Sequence, residues 1–304
     1  MSNQSTRRDK FSFLTIAMLL LLVIYSLVLL AMLLWAFMQV FKHPNDFKID
    51  PIWFPKLKNF TFVNFQAIIQ YSKGTVRGIE FGGVLNLYLN SFIFAFGGAL
   101  VNVTVTCVTA YLVARYDFLY SKIIYTIVIL VMVIPIVGAQ ASEIVMLTKL
   151  NLYDKRFTFV ALKASFVGIY FLVFYETFKG IPKSYSEAAM MDGAGFIGIM
   201  VKICFPLAIN VFTTVLLITF VQYWNDYQLA YLYMPHYPTL SYYLFIINQT
   251  NGGDRVTVNG EIFYMGRQGV KMAAVMLTML PILTLFLILH EKLMSNVSIG
   301  GIKG

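Results

Sequence analysis

Six apolar runs, each long enough to cross a hydrocarbon core of about 30 Å, leave this chain few ways to fold. They lie at roughly 11–41, 84–114, 123–146, 157–178, 203–233 and 272–289. In lipid every backbone N–H and C=O has to be satisfied within the segment or by a closed sheet, so runs of this length read as helices. The expectation is an all-α, polytopic membrane protein with six transmembrane helices and both termini on one side. The first run is too long for the core of a cleavable signal peptide, and no small-residue cleavage site follows it, so it reads as a retained helix. Composition agrees: hydrophobic residues make up 59% and charged residues 12%, and the mean hydropathy is +0.74.

The chain reads as one transmembrane domain, 1–304. It has an N-terminal span at 11–41, core spans within 84–295, a polar loop at 182–202 and two long loops at 43–83 and 234–271 on the opposite side. Arg7, Arg8 and Lys10 favour a cytoplasmic N-terminus. The first long loop, however, carries Lys42, Lys48, Lys56, Lys58, Lys73 and Arg77, so charge counting leaves the orientation open. The net charge of +9 suits anionic lipid headgroups, and without a soluble basic domain it gives no support to nucleic-acid binding.

The side-chain inventory disfavours an enzyme. His43, His236 and His290 stand apart, and there is no metal-binding H-E-x-x-H, no nucleophile elbow and no phosphate-cradling G-x-x-x-x-G-K-[ST]. No metal site and no cofactor of its own are expected. Cys107 and Cys204 fall in or beside spans and read as small core residues rather than a disulfide. A secondary transporter or channel is the rival class, but it would place several ionisable groups inside spans. Only Lys163 is clearly within one, with Glu143, Glu176 and Asp226 toward span ends.

The polar segment after the fourth run is the most informative loop. Pro182 ends the run, and Ser184-Tyr185-Ser186-Glu187 fits a capping box, the Ser184 hydroxyl and Glu187 carboxylate each taking a backbone N–H. Ala188 to Met191 carry a short helix, and Gly193 can stop it in the left-handed region. The order Glu187, Ala188, Ala189, Asp192, Gly193 and Ala194, then Ile203, Phe205 and Pro206, resembles the E-A-A loop of ABC-importer permeases. Phe205 stands where leucine is usual and Asn210 where a second proline often follows. The resemblance continues through Asn59-Phe60-Thr61, Leu89-Asn90-Ser91, the turn Ala110-Tyr111-Leu112-Val113-Ala114-Arg115, and Ile181-Pro182-Lys183. The tail Gly300-Gly301-Ile302-Lys303-Gly304 is similar to the ending of the second permease subunit of maltose-type sugar importers.

That resemblance implies a type I importer transmembrane domain in a bacterial plasma membrane, with both termini cytoplasmic. It implies a homologous permease partner, two ATPase subunits that bind ATP and Mg²⁺, an extracellular solute-binding protein and a carbohydrate substrate. The loop at Glu187–Ala194 becomes the coupling helix seated on an ATPase, and Gly300–Gly304 an insertion between the ATPases.

Two further regions are singled out. Tyr223, Tyr227 and Tyr231 recur at four-residue spacing, hence on one face of a continuous helix, with Trp224 alongside and Gln222, Asn225 and Asp226 at the same depth. Aromatic faces flanked by amides and carboxylates suit a sugar path, and an interfacial aromatic belt is the alternative. Gln140 and Glu143 with Lys163 form a second candidate, Glu143–Lys163 charge pairing being the plainer reading. Asn251-Gly252-Gly253-Asp254 and Val258-Asn259-Gly260 read as turns around short strands, a hairpin expected to touch the binding protein. A small-residue stripe, Ser91, Ala95 and Ala99, admits close helix approach, within the subunit or between subunits.

Overall fold

The computed structural model describes residues 13–43, 45–50, 52–76, 78–134, 138–250 and 253–299. Its helices are α1 (Phe13–Val40), α2 (Asp46–Ile49), α3 (Val63–Tyr71), α4 (Val84–Arg115), α5 (Ser121–Val133), α6 (Ala139–Lys149), α7 (Thr158–Leu162), α8 (Ile169–Lys179), α9 (Lys183–Met191), α10 (Phe196–Asn225), α11 (Gln228–Tyr233), α12 (Leu240–Asn248) and α13 (Gln268–Ile299). Two antiparallel hairpins pair β1 (Thr75–Val76) with β2 (Ile79–Glu80), and β3 (Arg255–Val258) with β4 (Glu261–Tyr264).

Helices α1, α4 and α10 and the 268–288 part of α13 are long and apolar enough to cross a membrane. The runs at 123–146 and 157–178 are each built from two helices, which corrects the expectation of one continuous helix in each. Gly138 (φ +86°) precedes α6 and Gly168 (φ +147°) precedes α8. Both occupy backbone conformations that interrupt a helix and that side chains resist. The run at 203–233 breaks at Asp226 (φ −79°, ψ 103°), whose Oδ1 accepts the Leu229 N–H at 3.0 Å and starts α11.

The chain forms two compact units, one of residues 1–68 and 252–276, the other of 69–251 and 277–304. In the second, α4, α8 and α10 bury a common core that includes Cys107, Tyr111, Phe174, Phe178, Ala208 and Phe212. Each such phenylalanine is worth about 3–5 kcal/mol against alanine. Ser91, Ala95 and Ala99 are buried within the chain, and Ser91 Oγ accepts the Leu240 N–H at 2.7 Å. The stripe therefore serves packing inside the subunit. Beside it, a Cβ added at Gly98 would lie 2.6 Å from the Phe159 ring, so glycine is what lets α4 meet α7. Cys107 and Cys204 are buried free thiols.

In the first unit the β3–β4 turn has Asn259 at φ +53° and Gly260 at φ +84°. Two positive φ values match the right-handed twist of a tight hairpin, so the strand pairing expected there is present. The long loop at 234–271 also holds α12, which belongs to the second unit and which the turn signals around it do not announce. Thr239 caps that helix, its hydroxyl accepting the Tyr242 N–H at 3.2 Å.

Candidate coupling loop and substrate path

Helix α9 begins two residues earlier than a capping box requires. Pro182 is extended (φ −54°, ψ 136°) and takes the N-cap position without a side-chain bond, so Ser184 lies inside the helix and Glu187 in its second turn. The Ser184–Glu187 capping box is therefore not formed. The exposed Glu187 carboxylate is free for another use.

The C-terminal end of α9 behaves as its glycine suggests. Gly193 has φ +82°, its N–H reaches Met190 O at 3.0 Å, and the Ala194 N–H reaches Ala189 O at 2.9 Å. These two bonds are the Schellman pattern that satisfies the last carbonyls of a helix. Ala189 and Ala194, the apolar pair that closes this motif, pack against the core beneath. No atom lies within 4 Å of a Cβ built on Gly193, so the backbone alone demands glycine.

Arg115 holds this corner in place. It is the last residue of α4, and its Nη1 donates to Ile181 O at 2.6 Å while Nη2 donates to Ser186 Oγ at 2.6 Å. The guanidinium fork thus fixes both the chain leaving α8 and the second turn of α9. The arginine of the Ala110–Arg115 motif was legible in the sequence, but its partners were not, because Ile181 is engaged through its backbone. With its inner side clamped, α9 and the residues after it turn a row of apolar side chains outward. Met191 is 84% exposed and Ile197 75%, with Tyr185, Met190 and Phe196 about half or more exposed beside them. Asp192 is exposed on the same turn. Pro206 follows in α10, where it removes one helix bond. The helix stays continuous because the preceding turn, Met200–Cys204, widens to a π-helical one.

The substrate-path candidates fall into separate groups. Because the chain breaks at Asp226, Tyr223, Tyr227 and Tyr231 do not share one helical face, which corrects the expected stripe. Tyr223 stands edge-on to Phe159, and the Lys163 ammonium lies 5.2 Å from its ring centroid and 5.0 Å from that of Phe159. Trp224 is buried and donates to Thr278 O at 3.0 Å. The Asn225 amide turns back to Val221 O. Tyr227 stacks on Phe245 at 4.4 Å, and Tyr231 meets Tyr242 edge-on at 5.4 Å. Gln222 donates to the Tyr170 hydroxyl at 3.3 Å, and Gln140 is exposed. Glu143 accepts from the Tyr233 hydroxyl, and among the described residues it forms no ion pair with Lys163. The irregular backbone after α7 is satisfied by α4: Asn102 Nδ2 donates to Lys163 O at 3.2 Å and Ser165 O at 3.0 Å.

Of the remaining expectations, Gly300–Gly304 and the turn residues Asn251 and Gly252 lie outside the described residues. Gly253 and Asp254 precede β3, and Asp254 O accepts the Met265 N–H at 2.9 Å, closing the hairpin base.

The family model described as binding-protein-dependent transport system inner membrane component matches residues 103–298, a span that contains α9 and both candidate path groups. The diacetylchitobiose uptake system permease protein NgcG of Streptomyces coelicolor is 22% identical over 92% of this chain and 86% of its own. The sulfoquinovosyl glycerol transport system permease protein SmoH of Agrobacterium fabrum is 26% identical over 89% of this chain and 88% of its own. The melibiose/raffinose/stachyose import permease protein MelC of Bacillus subtilis is 26% identical over 72% and 76%. Among solved structures, a bacterial ABC transporter involved in import of the acidic polysaccharide alginate superposes with a TM-score of 0.74 at 18% identity, covering 95% of this chain and 99% of that one. That likeness establishes the fold.

Proposed function

The chain belongs to the binding-protein-dependent transport system inner membrane components, and from that premise we propose that it is the second permease of an ABC importer for a carbohydrate, seated on an ATPase through α9. The observation that carries the reading is the pairing of an Arg115-clamped, Schellman-stopped helix with an outward apolar row in an otherwise polar loop. Exposed apolar side chains on a rigid short helix fit a protein groove. Glu187, Ala188, Asp192 and Gly193 form the contact with the apolar row, Ala189 and Ala194 seat the helix on the core behind it, and Pro206 sets its angle to the membrane helix. ATP and Mg²⁺ are bound by two separate ATPase subunits, and their closure is transmitted through α9 to the permease pair. This orientation puts both termini in the cytoplasm and the β3–β4 hairpin outside, toward a solute-binding protein. The Lys163, Tyr223 and Gln222 group and the Tyr227–Tyr231 group are the two places where the chain offers aromatic faces with polar partners to a glycan. The names of the relatives, which span neutral oligosaccharides and a sulfonated glycoside, support carbohydrate as the class.

The test is a cysteine at Met191 in the complex reconstituted with its partner permease, ATPases and binding protein. A cross-link from Met191→Cys to the ATPase, together with ATP-dependent uptake of a sugar that the binding protein holds, is the expected result. Uptake without any α9–ATPase cross-link overturns the docking assignment. A cross-link without uptake of any glycan overturns the carbohydrate assignment.

A further inference from the structure

Lys42 is 1% exposed although it follows directly on a membrane-spanning helix and no carboxylate pairs with it among the described residues. Its ammonium donates to Asp50 O and, at 2.8 Å, to Trp53 O, and lies 5.0 Å from the Phe47 ring centroid. Two side chains of α1 bind the same stretch. Trp35 Nε1 donates to Ile52 O at 2.6 Å, and Gln39 Nε2 donates to Ile52 O at 3.1 Å and Trp53 O at 3.2 Å. The loop therefore folds back along the helix it has just left. Ile52 O is shared by Trp35 and Gln39, five residues and one residue before the end of α1, so this stretch lies alongside the last turn or so of the helix.

Two properties follow from that depth. A loop in water has no need of side-chain donors on its carbonyls, because water supplies them. In the bilayer irregular backbone has to be satisfied by protein, and here the carbonyls of Asp50, Ile52 and Trp53 are served by α1 and Lys42. The side chains of the same residues point away from the protein: Ile52 is 70% exposed and Trp53 73%, with Phe54 and Ile49 also exposed. Leu33, Leu34 and Phe37, on other faces of the last turns of α1, are exposed as well. Lys56 and Lys58, both exposed, follow at the edge.

We propose that Ile52, Trp53 and Phe54 form a re-entrant shoulder seated at the headgroup–acyl boundary of the leaflet at the C-terminal end of α1, with lipid as its occupant. Tryptophan is enriched at that level, apolar side chains of an interfacial segment insert there, and the two lysines meet anionic headgroups. Lys42, Gln39 and Trp35 are the positioning residues that make the backbone compatible with that depth.

The test places a nitroxide at Ile52→Cys or Phe54→Cys in the assembled, active transporter in nanodiscs of phosphatidylglycerol and phosphatidylethanolamine, with other reactive cysteines removed. The expected result is high collision with oxygen and low collision with a water-soluble nickel chelate at both sites. A Lys42→Met change should then raise nickel accessibility at position 54 several-fold. Gln39→Leu serves as the second release variant if Lys42→Met does not assemble. High nickel accessibility in the unmodified background places the loop in water and overturns the proposal. Exclusion of both reagents means a protein occupies the surface, the partner permease or the binding protein, and also overturns it.

Discussion

Replacing Arg115 by methionine removes the clamp on α9 while keeping most of the side-chain volume. Two short charge-assisted bonds are lost, to Ile181 O and to Ser186 Oγ, with a longer one to Phe178 O at 3.5 Å. Each is worth about 1.5–3 kcal/mol when fully buried. Arg115 is half-buried, so solvent screening reduces the sum to about 3 kcal/mol. Ser186 is buried and is left without this partner, which adds to the loss. Because the bonds tie α9 to α4 and not α4 to its core, the loss falls on local opening of the loop and not on the whole domain. A change of about 3 kcal/mol corresponds to a factor of about 150 in an opening equilibrium. Amide exchange at 185–194 in the assembled complex is therefore expected to speed up about a hundredfold, with exchange in the middle of α4 unchanged. In proteoliposomes the variant should retain its ATPase subunits less firmly and lose most ATP-driven uptake. Arg115→Lys keeps the charge but cannot reach both acceptors with one fork, so it should fall between. A double-mutant cycle with Ser186→Ala isolates the side-chain bond, and Arg115→Met should mask most of the effect of Ser186→Ala. Native exchange rates and native uptake in Arg115→Met would refute the clamp.

Gly193→Val puts a β-branched residue at φ +82° with open space around it, so it should cost about 1–2 kcal/mol from backbone alone and abolish coupled uptake with the complex still assembled; full uptake by purified variant complexes refutes the coupling role. Glu187→Gln leaves the helix intact, since Glu187 makes no cap, so any fall in uptake measures a charge contact with the ATPase, and unchanged uptake removes that contact. Gly98→Ala drives a Cβ against Phe159 and should destabilise the α4–α7 contact by about 1–3 kcal/mol, read as faster exchange in α7; no change there refutes the close-approach argument. Trimming 298–304 should lower coupled ATPase activity without affecting membrane insertion, and unchanged transport would rule out a tail role.

Periodicity and turn chemistry made some elements legible because the signal is local. Asn259-Gly260 announces its hairpin, and Gly193 its helix stop, since only backbone conformation is at stake. The helix breaks were hidden for the opposite reason. Long apolar runs look continuous through Gly138, Gly168 and Asp226, and hydropathy carries no information on φ and ψ. The tyrosine stripe failed with them, because a helical face exists only while the helix continues past Asp226. The capping box failed by two residues: Pro182 is already the extended N-cap, so the helix starts before Ser184 can serve. Arg115 was visible as a motif residue, but its carbonyl acceptor at Ile181 belongs to the backbone and has no sequence signature.

The polar residues inside the apolar runs now bear on mechanism. A proton- or ion-driven transporter would use intramembrane polar groups as relays. Here most of them are already committed to backbone. Asn102 and Thr106 serve the irregular stretch at Lys163–Ser165. Asn90 donates to Pro238 O, Tyr88 to Leu277 O and Trp224 to Thr278 O. Each of these acceptors lies in a loop or on a neighbouring helix, so the donors lock helices to one another. The same device, at Trp35 and Gln39, holds the loop beyond α1. Among the ionisable groups named above, Lys163 lies over its aromatic pair, Glu143 on the Tyr233 hydroxyl and Glu176 beside Lys179. Such scattered groups, with no Lys163–Glu143 ion pair among the described residues, do not make a chain of proton sites. On the proposed function they suit a hydroxyl-rich solute passing a set of broken helices, with the driving force delivered from outside the membrane through α9.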